Sequence, residues 1–130
     1  MLYAVSEVHG LIVPPLRTPR RHQLIEVLRH IEEHYAERIA LEDLALLAGL
    51  SLHRFVTVFR REIGISPHRY ICLVRVRAAR ALLRDGVAPA IAAIEVGFFD
   101  QSHFCRHFRA VCGITPGQFL ASLDTHKAVA

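Results

Sequence analysis

The chain has 130 residues, which is enough for one compact domain or two very small ones. Hydrophobic residues make up 52% of it, so a packed core can form and a disordered chain is excluded. The formal net charge is +4, and because Lys127 is the only lysine, arginine supplies nearly all of the positive charge. Arginine suits phosphates and base edges, but a basic surface by itself is only weak support for nucleic-acid binding.

Cysteine usage and the N-terminal residues indicate where the chain works. Cys72, Cys105 and Cys112 are an odd number of cysteines without CxxC spacing, so we expect a reducing cytoplasm and no disulfide scaffold. The N-terminus lacks the charged start and long apolar run of a signal peptide. Because no stretch is long and apolar enough to span a membrane, we expect no membrane partner.

Apolar spacing, N-cap residues and terminal glycines predict an all-α fold of seven helices. Residues 1–19 contain Pro14, Pro15 and Pro19, and they are expected to be a linker or the tail of a preceding sensor domain. Helical periodicity begins at Arg20. The later helices are predicted over residues 41–48, 52–63, 67–84, 89–96 and 101–112, with a last short helix around 119–120.

An internal repeat divides the predicted helices into two similar sets. The segment 59–67 reappears as 108–116, at an offset of 49 residues. Upstream, Gly49 matches Gly97 at an offset of 48, so the second copy has one extra residue in its turn. Each copy consists of a short helix, a glycine turn, a capped helix, a second glycine and a helix that starts with Ser-Pro or Thr-Pro, a repeat too detailed to expect by chance.

Each copy has the plan of a helix-turn-helix unit, in which a glycine turn makes a second, outer helix project from the first. Such an outer helix can enter a major groove, with its N-terminal half facing base edges. One copy alone is equally consistent with an ordinary helical hairpin, but two copies, each ending its outer helix with arginine, favour DNA binding. The subdomains are predicted over residues 20–66 and 85–123, joined by a linker helix at 67–84 and followed by a flexible tail at 124–130.

At these residues the chain resembles the AraC/XylS family of bacterial transcription regulators, over roughly residues 20–123. The first-unit pattern lies in 44–70, and the most recognisable signature of the family is similar to residues 96–116. The resemblance implies a seven-helix domain that binds duplex DNA near a promoter, associated with the nucleoid. Many members of the family carry a sensor domain before this one and a few consist of this domain alone, so we expect the chain to be part of a longer regulator that can dimerise. RNA polymerase is a second candidate partner, and no cofactor is expected. Because the linker helix spaces two outer helices about one turn of B-DNA apart, we expect this domain itself to bind as a monomer.

The resemblance further implies which side chains meet DNA, since it assigns the outer helix of each unit to a major groove. The base-contact candidates are His53, Arg54, Val56 and Thr57 in the first unit and Gln101, Ser102, Cys105 and Arg106 in the second. The phosphate-contact candidates are Ser51, Arg60, Arg61 and Arg109.

Individual candidates differ in what they can do. Arg106 is the strongest candidate for base contact, because arginine pairs bidentately with guanine, although a phosphate contact or a surface arginine without a DNA contact is equally compatible with its position. Gln101 can reach adenine or a phosphate, and His53 can reach a base, a phosphate or only solvent. Arg75 interrupts the linker helix between two apolar stripes and is expected to be partly buried and paired with an acid, away from DNA.

The chain departs from the usual pattern of the family in both units. Val56 and Thr57 stand where the family commonly has a small polar residue and an arginine. The first unit is therefore expected to read thymine methyl groups, DNA shape or only the backbone. In the second unit, Phe99 replaces a common serine and adds an apolar group to the turn.

Two other classes of function compete with a DNA-binding regulator. A DNA-repair alkyl transferase would need a zinc-bound cysteine cluster, which three scattered cysteines cannot supply. No Ser-His-Asp set, phosphate loop or carboxylate pair stands out either, so no catalytic residue is expected. His103 and His107 share a helix face, but the pattern offers no third ligand, so no metal site is expected. A protein-interaction module with a degenerate DNA face, motivated by Val56 and Thr57, stays the alternative.

Overall fold

The computed structural model describes residues 6–8, 11–13 and 21–129, and the side chains of residues 23–124. Seven helices account for nearly all of this part of the chain, which confirms the predicted helical fold. They are α1 (Arg21–His34), α2 (Leu41–Ala48), α3 (Leu52–Ile63), α4 (Pro67–Arg84), α5 (Pro89–Glu95), α6 (Gln101–Cys112) and α7 (Pro116–Val129). No helix among the described residues combines the length and the apolar character that crossing a membrane requires.

A small antiparallel strand pair precedes the helices and was not predicted. Strand β1 (Ser6–Val8) pairs with β2 (Leu11–Val13), and Glu7 lies opposite Ile12. Strands of three residues are too short for an alternating pattern to reveal them in the sequence. The rest of the predicted linker at 1–19, including its prolines, lies outside the described residues.

The helices form two compact units that divide within α4, between Val74 and Arg75. Because α4 supplies buried residues to each unit, it carries the two apolar stripes that the sequence shows. The predicted subdomain boundaries at residues 66, 84 and 123 stay predictions. The core of the first unit consists of Leu24, Val27, Leu28, Ile31, Leu44, Ala45, Ala48, Phe55, Val58, Phe59, Tyr70, Ile71 and Val74. In the second unit the buried residues include Val76, Ala79, Leu83, Ala92, Ala93, Val96, Phe98, Phe104, Phe108 and Phe119.

The turn between α2 and α3 is closed by two backbone hydrogen bonds. The N–H of Gly49 donates to the carbonyl oxygen of Leu46 (3.0 Å), and the N–H of Leu50 donates to that of Ala45 (2.9 Å). Gly49 has a φ of +71°, in the left-handed region that glycine adopts without steric cost. This Schellman arrangement stops α2 and sets the direction in which α3 leaves.

The turn between α5 and α6 is closed in the same way. The N–H of Gly97 donates to the carbonyl oxygen of Ile94 (3.1 Å), and the N–H of Phe98 donates to that of Ala93 (3.0 Å). Gly97 has a φ of +102°. The sequence repeat is therefore a repeat of backbone geometry, with the same capping bonds at equivalent places.

In the first unit, three aromatic residues in tilted and edge-to-face contact fasten the outer helix α3 to the start of α4. The ring centroids of Phe55 and Phe59 lie 5.7 Å apart, and those of Phe59 and Tyr70 lie 5.8 Å apart with the rings edge to face. All three residues are buried. Ring pairs in this range of distance and angle stabilise by about 0.5–1.5 kcal/mol beyond the area that they bury. We call Phe55, Phe59 and Tyr70 the first aromatic triad.

The second aromatic triad, Phe104, Phe108 and Phe119, fastens α6 to α7 in the same way. The centroid distances are 5.5 Å between Phe104 and Phe108 and 5.7 Å between Phe108 and Phe119. The guanidinium carbons of Arg80 and Arg84 lie 5.5 and 5.6 Å from the centroid of the Phe119 ring, within the range of a cation–π contact. Each triad member is 49 positions from its counterpart, so the repeat preserves the packing as well as the turns.

The structure differs from the sequence-based expectation at the ends of α6 and α7. Helical spacing places Val111 on the same face of α6 as Phe104 and predicts that it is buried, but it is 38% exposed. Periodicity gives the direction of a side chain and not the point where the covering elements end. The last helix was expected to be short but continues from Pro116 to Val129. No glycine or proline interrupts residues 118–129, so nothing local ends the helix near Leu120.

Truncation of the central ring of the second triad should unfold the second unit more easily. We expect Phe108→Ala to lower the free energy of unfolding by about 3–5 kcal/mol, because the ring is fully buried between two others. Val111→Ala, on the same helix, should change it by less than about 0.5 kcal/mol. Urea denaturation followed by circular dichroism measures both values. Equal destabilisation by the two substitutions would contradict this account of the packing.

Candidate nucleic-acid interface

The outer helices α3 and α6 each have one buried face and one open face. Phe55 and Phe59 are buried on α3, as are Phe104 and Phe108 on α6. At about 100° per residue, the residue midway between two such phenylalanines points about 180° away from them. In α6 this residue is Arg106, and in α3 it is Thr57. Both are exposed, as a groove-reading position requires.

A side-chain cap fixes the start of each outer helix. The hydroxyl oxygen of Ser51 accepts the N–H of Arg54 (3.2 Å), and Oδ1 of Asp100 accepts the N–H of His103 (2.8 Å). Serine and aspartate are favoured caps because they satisfy N–H groups that the helix leaves without a partner. The caps hold the first turn of each outer helix in place, and Gln101 is exposed in the first turn of α6.

The predicted base-contact residues of the first unit are unequal. His53 and Arg54 are exposed near the start of α3. Val56 is half-buried and packs against the core of the first unit, which limits what it can offer a groove. Thr57 is exposed, but its hydroxyl donates to the backbone oxygen of His53 (3.1 Å). The open face of α3 therefore has little hydrogen-bonding capacity beyond its first turn.

The predicted base-contact residues of the second unit are more available. Gln101, Ser102 and Arg106 are exposed, and Cys105 is half-buried. Among the described residues, no hydrogen bond or ion pair engages the guanidinium of Arg106. Arg106 borders two open depressions, one toward each end of α6. The other lining residues are Phe99, Asp100, Ser102 and His103 toward the N-terminal end and Cys105, Arg109, Ala110 and Thr115 toward the C-terminal end.

The predicted phosphate-contact arginines lie toward the C-terminal ends of the outer helices. Arg60, Arg61 and Arg109 are all exposed. Arg61 has a long ion-pair contact of 3.6 Å from its Nε to Oε1 of Glu62. No acidic residue occurs in the α6 sequence, and Glu62 is the only one in α3. Both open faces are therefore electropositive, which favours a polyanion.

His103 and His107 share one face of α6, as predicted, and meet each other. Their Nε2 atoms are 3.1 Å apart, so one ring donates a hydrogen bond and the other accepts it. The ring of Phe98 stacks on His107, with centroids 5.6 Å apart. Arg75 is half-buried, and its guanidinium carbon lies 5.8 Å from the Phe98 centroid, so it contacts this ring within the second unit. This cluster braces α6 along the edge of its open face, since His103 also lines a depression beside Arg106. The expected absence of a metal site stays a prediction.

A capping box at the start of α7 was missed by the sequence analysis. The N–H of Gln118 donates to the hydroxyl of Thr115 (3.1 Å), and the N–H of Thr115 donates to Oε1 of Gln118 (2.9 Å). The Thr-x-x-Gln spacing is the signal that predicts such a box. Thr115 lines the same depression as Arg109, so the box positions the edge of the candidate interface.

Cys112 is the last residue of α6 and is half-buried. Burial raises the pKa of Cys112, and the positive charges of Arg80 and Arg77 offset only part of that rise. Because the thiolate is the nucleophilic form of cysteine, this shift disfavours that form.

Comparison with known proteins places this geometry in a family. A family model described as "Helix-turn-helix domain" matches residues 44–122, which is more than half of the chain. The crystal structure of a probable AraC family transcriptional regulator from Rhodopseudomonas palustris is similar, with a TM-score of 0.69 and 32% identity, covering 78% of this chain and 96% of that one. The chain belongs to the AraC family of helix-turn-helix transcription regulators. This family consists of regulators and not of enzymes.

Two further relatives of this AraC-family chain bear on its function. The DNA-binding domain of the global transcriptional factor AdpA, solved in complex with a target DNA, is similar with a TM-score of 0.75 and 28% identity, covering 83% of this chain and 98% of that domain. The regulator YbfI of Bacillus subtilis is 43% identical over 77 residues, which are 59% of this chain and 28% of YbfI. The chain spans less than half the length of the first curated relatives that it matches.

Two substitutions distinguish the capping hydrogen bond of Asp100 from the effect of its negative charge on α6. Asp100→Ala should lower the free energy of unfolding by about 1 kcal/mol, because it removes the acceptor of the His103 N–H. Asp100→Asn should keep the stability near that of the unchanged chain, because asparagine caps about as well. Urea denaturation measures both. If Asp100→Asn cost as much as Asp100→Ala, the charge and not the cap would be what stabilises the helix.

Proposed function

We propose that this AraC-family domain reads two adjacent major grooves of duplex DNA, one with α3 and one with α6, and that α6 supplies most of the base discrimination. The domain then acts as the DNA-binding part of a longer regulator in the cytoplasm. The lengths of its curated relatives support a longer regulator, since the chain spans only 28–46% of each of the first four.

The observation that carries this proposal is the contrast between two equivalent positions. Arg106 and Thr57 are 49 positions apart, and both lie midway between a pair of buried phenylalanines. The guanidinium of Arg106 is exposed and unengaged, so it can pair with O6 and N7 of a guanine. Thr57 offers only a hydroxyl that already donates to its own helix. The two outer helices therefore have equivalent backbones, but the side chains at this position differ in their capacity to contact a base.

The remaining candidates take roles that match their exposure. Gln101 and Ser102 lie in the exposed first turn of α6, where base edges come within reach. In the first unit, His53 and Arg54 have the same placement on α3. Cys105 and Val56 are half-buried and contribute at most an apolar edge.

Phosphate contacts complete the interface. Arg60, Arg61 and Arg109 offer exposed guanidinium groups. Ser51 accepts a hydrogen bond as the cap of α3, so its hydroxyl proton stays available to a phosphate oxygen. Such contacts set affinity and position but carry no sequence information directly.

The proposal extends to partners and assembly. Two different recognition helices in one chain fit an asymmetric DNA site, so we propose that the domain binds as a monomer. Dimerisation of the full regulator then belongs to residues outside this domain, and RNA polymerase is a further partner at the promoter.

Substitution of two arginines on α6 tests the division of labour. We expect Arg106→Ala to lower discrimination at one base pair by about 5- to 150-fold, the range of about 1–3 kcal/mol for a bidentate pair. Arg109→Ala should weaken binding to all sequences alike and reduce the slope of log K against log salt by about 0.9. Thr57→Ala, the counterpart of Arg106→Ala, should change little. Fluorescence anisotropy with matched and mismatched duplexes measures all three variants.

Loss of discrimination after Thr57→Ala but not after Arg106→Ala would contradict the assignment of specificity to α6. No binding to any duplex at low salt would favour a protein-interaction module with a degenerate DNA face instead.

Stoichiometry tests the monomeric mode of binding. Because α3 and α6 supply one reader for each groove, we expect one chain per specific duplex. Sedimentation equilibrium of the chain with excess selected duplex measures the mass of the complex. A complex that contains two chains at the lowest concentration that binds would contradict the proposal.

A further inference from the structure

Phe99 is the inserted residue of the second turn and has no counterpart in the first. In the turn before α6, Phe98 makes the capping bond that Leu50 makes before α3. Asp100 takes the place of Ser51 as the N-cap. The offset is 48 at the first pair and 49 at the second, so Phe99 is the residue added between them.

The side chain of Phe99 takes no part in the packing of the fold. It is 86% exposed, whereas its neighbour Phe98 is 3% exposed. Among the described residues it is the most exposed large hydrophobic side chain, and no ring contact involves it. A turn that needs only one more residue would accept a small polar one, so the packing of the fold does not account for the aromatic ring. A ring left this exposed can still bury area against an apolar group of a partner.

The backbone holds this ring in a defined place. On one side, the N–H of Phe98 is bonded to the carbonyl oxygen of Ala93, and on the other side Asp100 caps α6. Phe99 lines the same depression as Ser102 and Arg106. The ring therefore stands at the entering end of α6, on the edge that holds the candidate base reader.

Duplex DNA offers few apolar groups to such a ring. In the major groove, the base edges present hydrogen-bonding atoms and the C5-methyl group of thymine. A phenyl ring cannot bond a phosphate, and the carboxylate of Asp100 beside it repels one. The chemistry of this turn favours a base edge over the backbone.

We propose that Phe99 is a second specificity residue of the α6 unit, with its ring packed against the methyl group of a thymine next to the base pair that Arg106 reads. This inference rests on the proposed function, in which α6 enters the major groove. It predicts a preference for the C5-methyl group of that thymine, which hydrogen-bonding side chains do not recognise.

Replacement of thymine by deoxyuridine tests this contact, because it removes the methyl group and leaves base pairing intact. The 130-residue chain first selects its duplex from a random pool, and each thymine of the α6 half is then replaced singly. We expect one replacement to weaken binding about fourfold, the loss that burial of one methyl group supports. Phe99→Ser should weaken binding to the thymine duplex by a similar factor and bind both duplexes equally.

Two controls test whether the effect on binding belongs to the Phe99 ring itself. Leu46→Ala removes a side chain that is 78% exposed on α2, and it should leave the thymine preference unchanged. Thermal melting of Phe99→Ser should match that of the unchanged chain, since the ring packs against nothing in the fold.

Equal loss on thymine and deoxyuridine duplexes after Phe99→Ser, or no sensitive thymine in the α6 half, would overturn the role of Phe99. Discrimination by Arg106 would survive either result, and the proposed function with it. Failure of the unchanged chain to select any duplex would remove both.

Discussion

The edge-to-face and tilted packing of three buried aromatic rings in each unit is the interaction on which the candidate interface depends. Phe59 and Phe108 each contact one ring on their own helix and one on the next. The outer helix is thereby locked in rotation as well as in position, because two rings four residues apart define one face. Everything on the opposite face is then directed outward. Exposure of Arg106 and Thr57 is a consequence of this packing rather than of their own polarity.

A shared scaffold explains how the two units have become unequal without a change of fold. The Schellman turns, caps and triads recur at equivalent positions, so substitutions on the open face are free of packing constraints. At one equivalent position the first unit has Thr57 and the second has Arg106, and in the turn the second unit has the additional Phe99. The fold conserves the placement of the outer helix, and the open face decides what that helix can recognise.

Local signals in the sequence predicted the helix ends of this structure. Features that depend on residues far along the chain could not be predicted from such signals. Ser51, Asp100 and the terminal glycines act through bonds to residues within one turn, so their types alone located the helix ends. Burial of Val111 depends on what covers the end of α6, which no local pattern records. The same holds for the candidate site, where helical periodicity predicted the exposure of Arg106. The bond from the Thr57 hydroxyl to its own backbone depends on a rotamer that the sequence does not specify.

The central claim is that α6 contributes more base discrimination than α3. Its most direct test is the loss of affinity at each base pair of the DNA site that the chain selects from a random duplex pool. Each base pair of that site is changed singly, and the change in affinity of the unchanged chain is measured. The account predicts a bipartite, non-palindromic site in which the larger penalties, about 1–3 kcal/mol per base pair, cluster in the half read by α6. A palindromic site, or equal penalties in both halves, would contradict it.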